Sequence, residues 1–211
     1  MSEAVLAAKV VEWMSDGWDV YQEVSCYGGY ADIVGVREGI VWIVECKMTL
    51  SLSLIEQAVT RLQGAHYVSV AVPPARRSTF PQDLLAEKGI GVIIAGSTVE
   101  QVQGPRISRA GRHWAKRLLD SLEPEHKTAA MAGTNGGGRW SPWRSTCRNA
   151  VEYVRRHGEP TVVDMMRHIN HHYGSDSAAR SSMVEWLRRG SVKHLQIIEG
   201  RPLRVRITGG K

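Results

Sequence analysis

Two acidic residues and a lysine are brought together by the strands that the sequence predicts around them. Alternation along residues 40–47 places Glu45 and Lys47 on one face of a strand. A hairpin turn centred on Glu38-Gly39 pairs Asp32 with Glu45 across adjacent strands. Two carboxylates and an ammonium are costly to bury unless a cation lies between the carboxylates. Oxygen ligands of this kind suit Mg²⁺ or Mn²⁺.

A simpler interpretation needs no metal. Glu45 and Lys47 would form an ion pair at a strand end, worth about 0–1 kcal/mol, although this leaves the approach of Asp32 unexplained. Glu23, on the preceding predicted strand, is a further acidic candidate. It either supports a metal ligand or is an exposed charge at the edge of the sheet.

Hydrophobic periodicity predicts the elements that carry these residues. Helical spacing of apolar residues alternates with short β-branched runs along residues 1–119. The predicted helices are 3–15, 52–62, 81–87 and 108–119, and the predicted strands are 20–24, 31–36, 40–44, 67–72 and 89–95. The order is αβββαβ followed by αβα, which is an α/β arrangement.

The composition is typical of a globular protein. The chain has 211 residues, of which 43% are hydrophobic and 23% charged. This fits one large or two modest domains and excludes a disordered chain or a coiled coil. No apolar run reaches the roughly 18–20 residues that span a bilayer, and the first thirty residues lack a basic start followed by a short apolar core, so no secretion signal is expected there. The three widely spaced cysteines form neither a disulfide framework nor a paired-cysteine zinc site. We therefore expect a cytoplasmic protein with no membrane partner.

The basic charge is concentrated in the C-terminal part of the chain. Residues 1–122 carry 12 basic and 13 acidic side chains, whereas residues 123–211 carry 15 and 8. Residues 123–143 contain a polar stretch and a glycine-rich run, which predicts a flexible linker. The sequence therefore predicts a domain at 1–122, a linker at 123–143 and a basic domain at 144–211.

The predicted C-terminal domain has the element order of a winged helix-turn-helix. Helices at 146–157, 161–172 and 177–189 precede a hairpin of strands 195–198 and 203–207. This order predicts a DNA-binding domain whose third helix enters the major groove. The candidate DNA-binding residues are Arg180, Ser181, Arg188, Arg189, Lys193, Arg201, Arg204 and Arg206.

Some residues fit two interpretations. His168, His171 and His172 have a helical spacing that suits zinc. The lack of a nearby cysteine favours a solvated or DNA-facing surface instead. The basic residues that either extend a phosphate-binding track or form a solvated face are Arg76, Arg77, Arg109, Arg112, Lys116 and Arg117.

Asp32 and the run Glu45-Cys46-Lys47, within an αβββαβ order, resemble the signature of the PD-(D/E)xK nucleases. The resemblance covers roughly residues 1–95 and implies a restriction-endonuclease-like core. With an acidic residue in the first helix, Glu3, it is nearest in pattern to the archaeal Holliday-junction resolvases. The chain departs from the motif at Ala31, which replaces the proline of the family name.

The resemblance implies a role for each matching position. Asp32, Glu45 and the backbone carbonyl of Cys46 would hold one or two Mg²⁺ or Mn²⁺ ions. Lys47 would orient the attacking water or stabilise the phosphorane, and these two roles are not separated by the sequence. Two further residues are catalytic candidates. Glu3 would reach the metal directly or through water, and Gln57 would position the water or a phosphate oxygen.

The sequence thus favours a Mg²⁺-dependent deoxyribonuclease that its C-terminal winged helix tethers to DNA. It does not separate an endonuclease from an enzyme that cuts from a DNA end. A homodimer would suit a junction-cutting enzyme. The main alternative is a non-catalytic DNA-binding or regulatory protein that uses a nuclease-like fold. A protein-interaction adaptor is the third candidate, and it predicts no steep salt dependence of DNA affinity.

Overall fold

A computed structural model describes residues 1–74, 79–128, 131–133 and 140–208. The chain divides into two compact units, Met1–Trp140 and Ser141–Lys211. The glycine-rich centre of the predicted linker, at 134–139, and the basic pair Arg76 and Arg77 lie outside the described residues.

The first unit is a mixed α/β structure around a six-stranded sheet, which confirms the predicted α/β class. Its sheet order is β1-β2-β3-β4-β5-β6, with parallel pairing only at β3-β4 and β4-β5. The helices are α1 (Glu3–Met14), α2 (Leu52–Arg61), α3 (Thr79–Lys88) and α4 (Arg112–Asp120). The strands are β1 (Asp19–Cys26), β2 (Gly29–Arg37), β3 (Ile40–Cys46), β4 (Tyr67–Val72), β5 (Gly91–Ala95) and β6 (Val99–Gln103).

The predicted hairpin between β2 and β3 is confirmed. Glu38 and Gly39 have φ of 50° and 78°, and two left-handed residues in a two-residue turn match the twist of the flanking strands. The ladder pairs Ile33 with Val44. The same register places Asp32 level with Glu45.

Apolar layers cover both faces of the sheet. Alternate residues of β3 contribute to different layers: Trp42 and Val44 pack with α1, whereas Val41 and Ile43 belong to the layer under α2, α3 and α4. Glu45 shares the parity of Val41 and Ile43. Its carboxyl group therefore lies on the α2 side of the sheet.

Two parts of the first unit differ from the sequence prediction. β6 was not predicted, because this edge strand is mostly polar and its middle is exposed. The last helix begins at Arg112 instead of residue 108. The preceding segment is held against the end of α2, where the Ser108 hydroxyl donates to the Leu62 carbonyl at 2.7 Å. Gly111 is pressed so closely to Ala65 that a Cβ there would lie 1.9 Å from the Ala65 carbonyl oxygen.

The structure also differs from the predicted linker at 123–143. Pro124–Lys127 form a 3₁₀ helix that carries the buried His126, and burial lowers the pKa of that imidazole. Ala132 is buried in the α1 layer and its N–H donates to the Gln22 side chain at 3.0 Å. Proline and small apolar residues within the polar stretch thus attach it to the first unit.

The second unit consists of three helices and a hairpin. The helices are α5 (Pro142–His157), α6 (Val162–His168) and α7 (Asp176–Arg188), and the antiparallel strands are β7 (Leu195–Ile198) and β8 (Arg204–Ile207). The helices start at hydroxyl caps, Ser141, Thr161 and Ser175. Their shared core is rich in methionine.

α6 is shorter than predicted. Ile169 leaves the helical conformation, and the Thr146 hydroxyl on α5 meets both the N–H and the ring Nδ1 of His172. His168 therefore ends a helix that His171 and His172 do not share, which removes the basis of the zinc alternative. Across the described ranges, no helix is long and apolar enough to cross a bilayer.

Candidate active site

The carboxyl groups of Asp32 and Glu45 lie together at the end of the β2–β3 hairpin. Asp32 Oδ2 accepts a 2.7 Å hydrogen bond from the Cys46 N–H, and the Asp32 and Glu45 carboxyl groups are close enough to shift each other's pKa. Glu45 is 3% exposed. The hairpin therefore brings together the two acidic residues that the sequence predicted to meet.

Burial changes the acidity of both groups. It is the largest cause that raises the pKa of Asp32 from 3.8 to about 7, and repulsion from Glu45 adds to it. Burial also raises the pKa of Glu45, against the opposing charge of Arg61. Near neutral pH, the pair therefore retains a proton on Asp32 for part of the time.

Arg61 is a buried cation that the sequence prediction did not include. It ends α2, is 4% exposed, and its Nε donates to Glu45 Oε1 at 2.5 Å. Its Nη1 and Nη2 donate to the carbonyls of Tyr27 and Tyr30 at 2.8 and 2.6 Å. One guanidinium thus fixes both the Glu45 carboxylate and the β1–β2 turn.

Lys47 and Glu3 form an ion pair beside the carboxyl groups. Lys47 Nζ lies 2.7 Å from Glu3 Oε1, and both side chains are partly exposed. Burial lowers the pKa of Lys47. The hydrogen bond to Glu3 and the negative charges of Glu3, Asp32 and Glu45 raise this pKa by more, so the net shift is upward. The ammonium is therefore charged at neutral pH and stands at the accessible side of the site.

The remaining acidic and amide candidates are placed differently. Glu23 is 2% exposed and has φ of 51°, which excludes the exposed edge charge. The strand pairs on either side, Gln22 with Ile33 and Val24 with Ala31, place Glu23 level with Asp32. The charge of Glu23 also raises the pKa of Asp32, although less than burial and the charge of Glu45 do. Gln57 lies exposed on α2, one turn before Arg61. Among the contacts of the described residues, none joins Gln57 to the carboxyl groups.

The raised pKa of Asp32 predicts how metal-free stability depends on pH. The folded state binds the Asp32 proton more tightly than the unfolded chain, so the free energy of unfolding falls as pH rises from about 4 to about 7. We expect the wild type to lose a few kcal/mol more than Asp32→Asn between pH 5 and 8. Urea unfolding in EDTA measures this, with the exposed Asp83→Asn as control. Equal pH profiles of wild type and Asp32→Asn would contradict the assignment.

The donor set is compatible with a hard divalent cation. Two neighbouring carboxyl groups with little solvent around them repel each other when both are ionised, and a cation between them reduces this cost. Mg²⁺ is commonly held by one or two carboxylates with water completing its shell. The described residues contain no group of three or more His, Cys, Asp or Glu side chains placed to hold a metal. The candidate ligands are the carboxyl groups of Asp32 and Glu45 and a backbone carbonyl. The buried Cys46 thiol is not a candidate ligand, because burial raises its pKa well above 9.

The candidate DNA-binding residues of the second unit are all exposed, but several are engaged. Arg188 forms a two-point ion pair with Glu199, with bonds of 3.0 and 3.1 Å. Arg189 forms an ion pair with Glu185. Arg204 donates to the Glu159 carbonyl, and Arg206 donates to the Gln196 side chain. Arg180 lines a small cavity between α6 and α7. Ser181, Lys193 and Arg201 are exposed on α7 and around the hairpin.

Comparisons of the chain with protein-family models, with curated proteins and with solved structures give no significant match. The chemistry of the site therefore has to be argued from its own geometry.

Proposed function

We propose that this protein is a metal-dependent DNA nuclease of the restriction-endonuclease-like type. The observation that supports it most is the placement of the half-buried Asp32 carboxyl group and the buried Glu45 carboxyl group level with each other on adjacent strands, beside the charged Lys47. Such a group of two acids and an ammonium at a strand end suits phosphodiester hydrolysis better than it suits stability. Ionising two neighbouring carboxyl groups costs free energy unless a further cation binds them, because the single charge of Arg61 offsets only one.

Each side chain of the site has a distinct task in this proposal. Asp32, Glu45 and the Cys46 carbonyl would hold Mg²⁺ or Mn²⁺. An ion bound by these groups would lower the pKa of a water molecule and would neutralise charge on the scissile phosphate. Lys47 stays protonated, so it acts on the phosphate or the water as a point charge and not as a general base. Glu3 holds the ammonium in place through their ion pair.

A cleavage panel tests the proposal. End-labelled duplex, single-stranded, flapped and four-way-junction DNAs are incubated with the purified protein in Mg²⁺, in Mn²⁺ or in EDTA. We expect cutting of at least one substrate in either metal and none in EDTA. Absence of cutting of every substrate in both metals would contradict the proposal.

A non-catalytic DNA-binding protein is the second candidate, and one observation favours it. Arg61 already supplies a counter-charge for Glu45, so this buried carboxylate has a partner without any metal. This candidate predicts DNA binding that is identical in Mg²⁺ and EDTA and no cleavage in either. The nuclease proposal predicts cleavage in the presence of Mg²⁺ and no cleavage in EDTA.

We further propose that the second unit is a winged-helix DNA-binding domain. It supplies the three helices and terminal hairpin of that class, and exposed basic residues lie on its third helix and hairpin. The site on the first unit would then act on DNA that the second unit holds. A homodimer stays a prediction, to be checked by the oligomeric state in solution.

The basic residues of the second unit predict a salt dependence. We expect the double variant Arg180→Gln/Lys193→Gln to flatten the slope of log affinity against log salt by about 2, since each lost phosphate contact removes about 0.9. Fluorescence anisotropy with duplex DNA measures the slope. The control is Arg155→Gln/Arg156→Gln, which removes the same charge from exposed positions on α5. Equal slopes for the two double variants would mean that Arg180 and Lys193 are not the residues that contact the DNA phosphates.

A further inference from the structure

A cavity of about 360 Å³ opens beside the β1–β2 turn, between that turn and α4. Residues of β1 and the turn form one wall, and α4 forms the other. The lining residues that carry aromatic or charged groups are Tyr27, Trp114 and Arg117. Pockets of roughly 300–1,000 Å³ hold small molecules, so the cavity has room for a nucleobase and its sugar.

The cavity presents aromatic rings to solvent beside a cation. Tyr27 and Trp114 are 40% and 38% exposed, although large aromatic side chains are normally buried. Their ring centroids are 5.3 Å apart and the planes are tilted by 53°. The Arg117 guanidinium lies 4.6 Å from the centre of the Trp114 ring. The exposed parts of the two rings are suited to stack a base, and the neighbouring guanidinium is suited to hold its phosphate.

The same turn is attached to the carboxyl site. The Tyr27 carbonyl accepts from Arg61, the residue that also pairs with Glu45. Gly28 has φ of 82°, and a Cβ there would lie 2.4 Å from the Thr60 methyl group. The aromatic wall is therefore held against α2 and fixed relative to Glu45 by one guanidinium.

We propose that this cavity is a subsite for one unpaired nucleotide of the DNA substrate. The base stacks on Trp114 and Tyr27, and Arg117 binds the adjoining phosphate. The inference rests on the proposed nuclease function and narrows its substrate class to DNA with a single-stranded or unstacked position near the scissile bond. A fully paired duplex keeps its bases stacked and does not fill the subsite.

Photocrosslinking in EDTA tests the subsite without requiring cleavage. A single-stranded oligonucleotide containing 5-iodouracil is irradiated with the full-length protein, and the crosslinked peptide is mapped by mass spectrometry. We expect crosslinks at Trp114 or Tyr27. Crosslinks confined to other peptides, or none at all, would overturn the subsite. A matched duplex should crosslink there far less, and equal crosslinking would overturn the preference for unpaired DNA.

Substitutions of the cavity residues test the subsite through the affinity for single-stranded DNA. Trp114→Leu and Arg117→Gln should each weaken single-strand binding about fivefold or more. The control is Arg37→Gln, since Arg37 also covers a tryptophan ring, Trp18, at 4.7 Å but does not line the cavity. Equal losses in Arg37→Gln and Arg117→Gln would contradict the subsite.

The two proposals fail separately. Metal-dependent cleavage without crosslinks at the cavity would end the subsite proposal alone. Crosslinks at Trp114 without cleavage in any metal would end the nuclease proposal and leave the cavity as a nucleotide-binding site of a non-catalytic DNA-binding protein.

Discussion

Asp32→Asn is expected to reduce DNA cleavage by about 10³-fold or more while DNA affinity changes by no more than about twofold. The amide keeps the shape of the side chain but removes the negative charge that would hold the cation beside Glu45. Asp32 belongs neither to the candidate DNA-binding residues of the second unit nor to the lining of the Trp114 cavity, so affinity should be largely retained. Single-turnover cleavage in Mg²⁺ and anisotropy in EDTA measure the two quantities.

Lys47→Ala provides an independent arm of the same experiment. It removes the charged ammonium but no carboxylate, so we expect a loss of about 10²–10³-fold in the cleavage rate. The matched control is Lys88→Ala, an exposed lysine at the end of α3. Undiminished cleavage by Asp32→Asn and Lys47→Ala would exclude the proposed mechanism, even if the wild type cuts DNA.

The second large effect concerns stability. Arg61→Met should lower the free energy of unfolding by about 3–5 kcal/mol, because it leaves the buried Glu45 carboxylate without its counter-charge. It also removes the donors to the Tyr27 and Tyr30 carbonyls. Urea unfolding at pH 8 in EDTA measures the loss.

A double variant separates the charge from the packing. Glu45→Gln in the Arg61→Met background removes the unpaired charge, so we expect part of the lost stability to return. If the single and double variants are equally unstable, or if Arg61→Met unfolds like the wild type, the Arg61–Glu45 pair does not have the energetic role assigned to it.

The meeting of Asp32 and Glu45 could be predicted because it depends on local rules. A two-residue turn fixes the register of the β2–β3 hairpin, and side-chain alternation fixes the face. The contact between Glu3 and Lys47 depends instead on how α1 packs across the sheet. Only the resemblance to a nuclease motif pointed to Glu3, and nothing local in the sequence paired it with Lys47.

Arg61 was missed although the sequence contains a signal for it. Leu54, Ala58 and Arg61 follow one another at helical spacing, so the arginine falls on the buried face of α2. A cation on an apolar helical face needs a buried anion, and Glu45 is that anion. The left-handed backbone of Glu23 had no such signal, since left-handed conformations are uncommon for residues other than glycine.

The edges of the first unit were the least predictable. β6 pairs with β5 through a bulge and is polar over most of its length, so alternation of hydrophobicity did not indicate it. The segment after α4 has the composition of a linker, but His126 and Ala132 are buried. A few apolar contacts with the first unit thus outweigh a polar composition.

The central claim is that Asp32 and Glu45 together bind a divalent cation. Calorimetric titration of Mn²⁺ at pH 7, in two buffers of different ionisation heat, tests it most directly. With the pKa of Asp32 near 7, saturable binding should release about half a proton. We expect Glu45→Gln to weaken it by about 10- to 100-fold or more, and the exposed Glu100→Gln to leave it unchanged. No saturable heat from the wild type, or an unchanged isotherm for Glu45→Gln, would contradict the account.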